Sequence, residues 1–259
     1  MTSLGGQVAL VTGVGNTIGA GIAVRLAMEG VSLFLVDASN DALEATLERL
    51  RTHGFPTASK VADSTNREEL NASVEACVAT FGRLDILINA GDHRQSWQAL
   101  EDIPDTALTA AFNSQVLGAF WTMQSALPHL RRNAGRIVNV VAVDGDSVVR
   151  YRGAYKAACD ALKAISQTAA FEWGGDNIRV NVLIPLAESS VKDYRESHSE
   201  HVEWALRQLP MQRLGDPVRD IGGAALFLVS EDAQYVTGHV IYADGGQFLA
   251  PAVVEPERR

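Results

Sequence analysis

Short apolar segments alternate with amphipathic segments of helical length along almost the whole chain, and that alternation leaves few folds open. Apolar strands fall at 8–12 and 32–36, and further strands fit 57–61, 84–88, 136–141, 179–183 and 240–242. Between them, 18–28 reads as a helix closing at Gly30, and 41–53 places Leu43, Leu47 and Leu50 at helical spacing. Longer helical patterns cover 108–130 and 153–173. Strands that are apolar throughout, rather than on alternate residues, are buried on both faces, and helices between them make the connections right-handed crossovers. The pattern predicts an α/β fold, a Rossmann-type doubly wound parallel sheet of about seven strands with helices on both faces. No linker or repeat divides residues 1–259, so one domain is expected. The polar stretch 186–211 lacks strand pattern and is expected to cover a site, and the tail 251–259 to fray.

Composition narrows the function. A net charge of -9 disfavours nucleic acid, whose phosphates need clustered Lys and Arg. No apolar run approaches the ~20 residues that span a bilayer, which argues against a membrane partner. Residues 1–6 show neither a basic region nor an apolar core of a signal sequence. The two cysteines, Cys77 and Cys159, form no metal-ligand spacing, so no metal is expected and a reduced cytoplasmic protein is the plain reading.

The first strand runs into Thr12-Gly13-Val14-Gly15-Asn16-Thr17-Ile18-Gly19 and then a helix. Glycines at such a turn let backbone amides and the helix N-terminus face a pyrophosphate, although tight turns favour Gly anyway. Asp37 ends the second strand, where a carboxylate accepts hydrogen bonds from ribose hydroxyls and repels a 2′-phosphate; this favours NAD over NADP. Asp37 as a simple turn or helix cap is the alternative.

These motifs, with several others in order, resemble the short-chain dehydrogenase/reductase family over nearly the full length. The T-G-x-x-x-G-x-G loop matches Thr12 to Gly19, the aspartate after the third strand matches Asp63, and the N-A-G motif is Asn89-Ala90-Gly91. Ile178-Arg179-Val180-Asn181 and Asp244-Gly245-Gly246 continue the match. The resemblance implies cofactor contacts at Gly13, Asn16, Thr17, Ile18, Gly19, Asp37, Ala62, Asp63, Asn89, Ala90, Gly91 and Pro185, with NAD as the cofactor. Two positions depart from it: the loop's middle glycine is Thr17, and Leu186 follows Pro185 where relatives carry glycine beside the nicotinamide. Added bulk at either place weakens cofactor binding.

The resemblance also implies a catalytic tetrad of Asn, Ser, Tyr and Lys. Tyr155 occupies the tyrosine position, but the other three hold Gln115, Ala142 and Cys159. Lys156 lies about 100° round the helix from Tyr155, and Lys163 about 12 Å along its axis, so neither replaces the lysine. A cation ~4 Å from a phenolate contributes about 4 kcal/mol at an effective dielectric of 20; without it Tyr155 stays near the reference value of about 10 and is a poor base. Cys159 reads as a small buried hydrophobe, and Tyr155 itself as catalytic or as a packed helix-start tyrosine. Asp144, Asp146 and Ser147 follow the fifth strand and offer either new chemistry or a turn. In 186–211, Tyr194, His198, His201 and Trp204 belong to the expected lid, the histidines reading as solvated.

The leading expectation is a catalytically impaired or inactive subunit that assembles with an active relative, as a homo- or hetero-tetramer. The resemblance places the assembly on the helices at 108–130 and 153–173 and on 236–250. One alternative is an NAD(H)-dependent hydroxy/keto oxidoreductase with a rearranged site acting on a small molecule. The other is a non-redox lyase, isomerase or cyclase on the same fold.

Overall fold

The computed structural model describes residues 4–52, 54–91, 97–142, 146, 150–187 and 199–249. Seven strands, β1 (Val8–Thr12), β2 (Ser32–Asp37), β3 (Thr57–Val61), β4 (Ile86–Asn89), β5 (Arg136–Val140), β6 (Arg179–Pro185) and β7 (Val240–Ala243), form one sheet. Every pairing is parallel, in the order β3-β2-β1-β4-β5-β6-β7. The order reverses between β1 and β4, the place where an open α/β sheet leaves a crevice beyond the strand ends.

Helices α1 (Thr17–Met28), α2 (Asn40–Arg51) and α8 (Gly222–Val229) cover one face. Helices α3 (Arg67–Phe81), α5 (Gly118–Leu130) and α6 (Gly153–Trp173) cover the other. Helices α4 (Asp105–Phe112) and α7 (Ser199–Gln208) flank the strand ends. Alternate strand residues serve the two faces. Ala9, Val11, Leu33 and Leu35 meet Ile22, Leu26, Leu43 and Leu47, whereas Val8, Leu10, Phe34 and Val36 meet Leu70, Val74 and Cys77. None of the described helices is long and apolar enough to cross a membrane.

The elements follow the sequence pattern with two differences. The apolar run 84–88 enters the sheet late, because the buried Asp85 carboxylate takes the backbone N–H of Val8 (2.8 Å) and the Arg83 guanidinium (2.7 and 2.8 Å). The pattern over 108–130 is not one helix: a π turn at Asn113–Leu117 separates α4 from α5. Such a turn holds one residue more per turn and re-aims the side chains that follow. Within α5, Gly118 passes so close to Ser64 that a Cβ would lie 2.6 Å from its carbonyl oxygen.

A line of buried amides and hydroxyls crosses the second face. Thr122 of α5 donates to Asn89 Oδ1 (2.8 Å), Asn89 Nδ2 donates to Asn139 Oδ1 (2.8 Å), and Asn139 Nδ2 donates to Ser166 Oγ of α6 (2.8 Å). Ser166 in turn donates to the Leu162 carbonyl (2.7 Å). Each side chain of this line therefore has a partner, as burial requires.

Candidate active site

The glycine turn is built by contacts that exclude side chains. Gly13 has φ +73, and a Cβ on it would lie 2.4 Å from the Gly91 nitrogen; one on Gly19 would lie 2.3 Å from the Gly13 carbonyl oxygen. Asn16 caps α1 by accepting from the Gly19 amide (2.8 Å), and its Nδ2 donates to the Ala90 carbonyl (2.7 Å), tying the β1 turn to the N-A-G segment. The first-turn amides of Thr17 and Ile18 have no carbonyl to bond within the helix and lie at its positive end.

Beside this turn opens a cavity of about 320 Å³, lined among others by Gly13, Gly15, Asn16, Asp37, Ala62 and Gly91. The half-buried Asp37 stands at its edge. One carboxylate oxygen accepts from the Gly15 amide (2.7 Å) and the other from Ser39 (3.0 Å), so Asp37 closes a local turn while presenting its charge to the cavity. Thr17 is exposed and does not line the cavity, so its bulk does not fill it. Asp63 is turned away: its carboxylate accepts from the amide and hydroxyl of Thr65 (2.8 and 2.9 Å), and Ala62 and Ser64 line the cavity instead. Asn89 and Ala90 are buried, with Asn89 serving the polar line described above, and Pro185 ends β6, also buried.

Gln115 sits in the π turn, 4% exposed, against a small cavity of about 20 Å³ with Thr12, Asn89, Ser114 and Thr122. Among the described residues its Nε2 has no hydrogen-bond partner. The remaining tetrad positions meet in one apolar cluster. Tyr155 (2% exposed) and Cys159 (1%) on α6 pack with Val141, Leu162, Ile184, Leu186 and Leu209, with Ala142 at the margin. Leu186 thus fills space beside Tyr155, and Leu206 and Leu209 bring the end of α7 and the residue beyond it over the same cluster.

The neighbouring lysines are committed elsewhere. Lys156 donates to Asp160 (2.6 Å), and Lys163 pairs with Asp146 and with Asp160 (2.7 Å). Burial pulls the Lys163 ammonium down, but its bonds to Asp146 and Asp160 outweigh this and hold it above the usual lysine range. The Tyr242 hydroxyl donates to Asp146 (2.7 Å), and burial together with that bond pushes it up to about 12. Asp144, Ser147, Tyr194 and His198 lie outside the described residues, as does the His201 side chain; Trp204 is half-buried. Among the described residues no group of three or more His, Cys, Asp or Glu is placed to hold a metal ion.

Sequence reasoning missed Arg152. Its guanidinium lies between two aromatic rings, 4.5 Å from the Tyr155 centroid and 5.2 Å from that of Trp97. The available signal is its place at the N-cap of α6, three residues before Tyr155.

A family model described as enoyl-(acyl carrier protein) reductase matches residues 13–247. The chain belongs to the short-chain dehydrogenase/reductase family. It is similar to a 12alpha-hydroxysteroid dehydrogenase of a Clostridium species, 34% identical over 254 residues that cover 95% of this chain and 98% of the relative. Among solved structures, a putative short-chain alcohol dehydrogenase from Sinorhizobium meliloti superposes with TM-score 0.89 at 28% identity, covering 96% of this chain and 99% of that one. An NAD+-bound xylitol dehydrogenase superposes with TM-score 0.86 at 28% identity, covering 93% and 98%. The oxidoreductase family and its fold are thus settled along the chain.

Proposed function

We propose that this chain is an NAD(H)-binding oxidoreductase that interconverts a hydroxyl and a carbonyl on a small molecule, with Tyr155 as the one proton-handling side chain kept from the tetrad. The observation that supports it most is the open cavity with the Asp37 carboxylate at its edge. A dinucleotide fits this donor set. Asp37 would accept from ribose hydroxyls, the first-turn amides of α1 would face the pyrophosphate, and Ala62 and Ser64 would flank the base. NAD, when bound, supplies the two-electron acceptor or donor.

The chain's own residues supply the proton. Tyr155 Oη would give a proton to a carbonyl oxygen during reduction and take one from a hydroxyl during oxidation. Ala142 offers a methyl where the family has a hydroxyl to hold that oxygen, so positioning falls to Tyr155 and the surrounding apolar wall. Turnover slower than in a complete tetrad is the consequence. Calorimetric titration with NADH and NADPH tests the first half of the reading: micromolar NADH with weaker NADPH is expected, and absence of binding to either overturns it. The second half rests on Tyr155→Phe, which should abolish carbonyl reduction in a folded protein; unchanged turnover would overturn it.

A second reading, a silent subunit of a homo- or hetero-tetramer with an active relative, draws on the sealed cluster of Tyr155, Cys159, Leu186 and Leu209. Mixing the chain with catalytically complete relatives and measuring mass and turnover separates the two. NADH binding without turnover alone, together with a mixed oligomer, would favour the silent subunit.

A further inference from the structure

The cation that the family places on the far side of the tyrosine is absent, yet the structure puts a different one against its ring. Arg152 is the residue before α6, 4% exposed, with its guanidinium 4.5 Å from the Tyr155 centroid. Trp97 closes the outer face of the guanidinium at 5.2 Å while remaining 63% exposed itself. The stack is held from behind. The Gln98 amide donates to the Tyr151 carbonyl (2.9 Å), joining the segment that carries Trp97 to the one that carries Arg152. Tyr151 adopts φ 67, a left-handed conformation that an L side chain rarely takes, and its own side chain is 54% exposed. Strain at a residue whose side chain gains little burial indicates that the backbone is bent there to serve a neighbour.

We propose that Arg152 is a positioning residue that tunes Tyr155, stabilising the phenolate through the face of its ring in place of the missing lysine. The inference rests on the oxidoreductase reading for its purpose, but its physical content concerns one side chain acting on another. A phenolate spreads its charge into the ring, so a cation above the ring stabilises the ionised form more than the neutral one. Guanidinium suits this better than ammonium, because it stacks flat on aromatic faces and stays charged at every working pH. Burial of both partners strengthens the attraction, and the same burial opposes it by disfavouring any charge on Tyr155.

Among the described residues clustered with Tyr155, the other side chains are not cations. From α6 comes Cys159, and from β7 comes Tyr242, whose hydroxyl is bound to Asp146. Asp146 is itself countered by Lys163, and the contributions of β5, β6 and the segment after α7 to the cluster are apolar. Among the described residues, the charge against the ring is that of Arg152.

The test is direct titration of the phenol in the full chain. With carbon-13 at the phenol carbon, the five tyrosines give separate signals, and Tyr155→Phe assigns the one in question. The expected result is ionisation of Tyr155 below the ordinary value of about 10. Arg152→Met should raise it, and Arg152→Lys should recover part of the shift. Ionisation of wild-type Tyr155 at or above about 10 overturns the proposal, as does a folded Arg152→Met with an unmoved phenol. Should Arg152→Met fail to fold, Trp97→Leu exposes the guanidinium to water without removing it and should raise the value partway; no change would count against the stack. The titration needs neither NAD nor substrate. A lowered phenol in a protein that binds no NADH would therefore defeat the oxidoreductase reading and leave this inference standing, and the reverse pair of results would do the opposite.

Discussion

Replacing Asp37 with Asn isolates the charge that, on the proposed reading, decides between the two nicotinamide cofactors. The side chain keeps its shape, and its oxygen still accepts from the Gly15 amide, observed at 2.7 Å. Loss of the bond from Ser39 at the turn edge, where water reaches, costs stability no more than about 1 kcal/mol. The effect on binding is larger. A 2′-phosphate carries about -1.5 to -2 charges. One pair of charges ~4 Å apart contributes about 1 kcal/mol in water and about 4 kcal/mol at an effective dielectric of 20. A half-buried carboxylate lies between those limits, so removing its charge should strengthen NADPH binding by about 2–3 kcal/mol, or roughly 30- to 150-fold. NADH should weaken by about 1 kcal/mol as a charge-assisted bond to ribose becomes a neutral one. The assay is calorimetry with both cofactors at low and high salt. Because the repulsion is electrostatic, the wild-type preference for NADH should itself shrink as salt rises. A preference within about twofold of wild type in Asp37→Asn, at both salt concentrations, would refute the reasoning and leave Asp37 as a turn former.

Two further outcomes follow from packing and burial. Gly21→Ala should prevent folding or lower stability by more than about 3 kcal/mol, because its Cβ would lie 2.5–2.6 Å from Pro217 backbone and side-chain atoms; a urea transition near wild type would be the contrary result. Cys77 is raised from 9.0 to about 12, chiefly by burial and then by the charge of Asp85. A raised acid of this kind stabilises the fold fully below pH 9 and loses that contribution as pH climbs from 9 towards 12, since the unfolded thiol ionises first. Urea midpoints should therefore fall over that window, and Cys77→Val should flatten the fall; identical slopes in the two proteins would count against it.

The sheet was legible because its central strands are buried on both faces and so are mostly apolar, unlike the half-exposed edge strand β3, and because Gly13 and Gly19 stand where backbone leaves no space for a side chain. Helix interruptions were less so. Nothing in the spacing of 108–130 marks the π turn, since an extra residue in one turn leaves the apolar pattern intact on either side. The site divided along the same line. Asp37 and the turn glycines act through backbone and charge at fixed places in the chain, and they lie where they were expected. Thr17, at the first position of α1, is exposed and does not line the cavity, which spacing alone does not reveal. One Asp63 carboxylate oxygen accepts from Thr65 two residues on, a local bond that position in a motif does not announce. Arg152 is not legible in the sequence because its contact is with the face of the Tyr155 ring, made from a cap position outside the helical spacing.

The polar line from Thr122 through Asn89 and Asn139 to Ser166 fastens α5 and α6 to the centre of the sheet at one depth. Sliding either helix by a turn would strand an amide in an apolar layer, so each has a single seat. Gln115 hangs from the start of one of these helices and Tyr155 from the other. The fold thereby keeps coordinates for a reaction centre independently of which residues occupy it, so exchanging a side chain at Gln115 or Tyr155 would change the chemistry without moving the address. A chain of this kind can lose one catalyst and acquire another at the same spot, because the frame that aims them makes no use of the groups being exchanged.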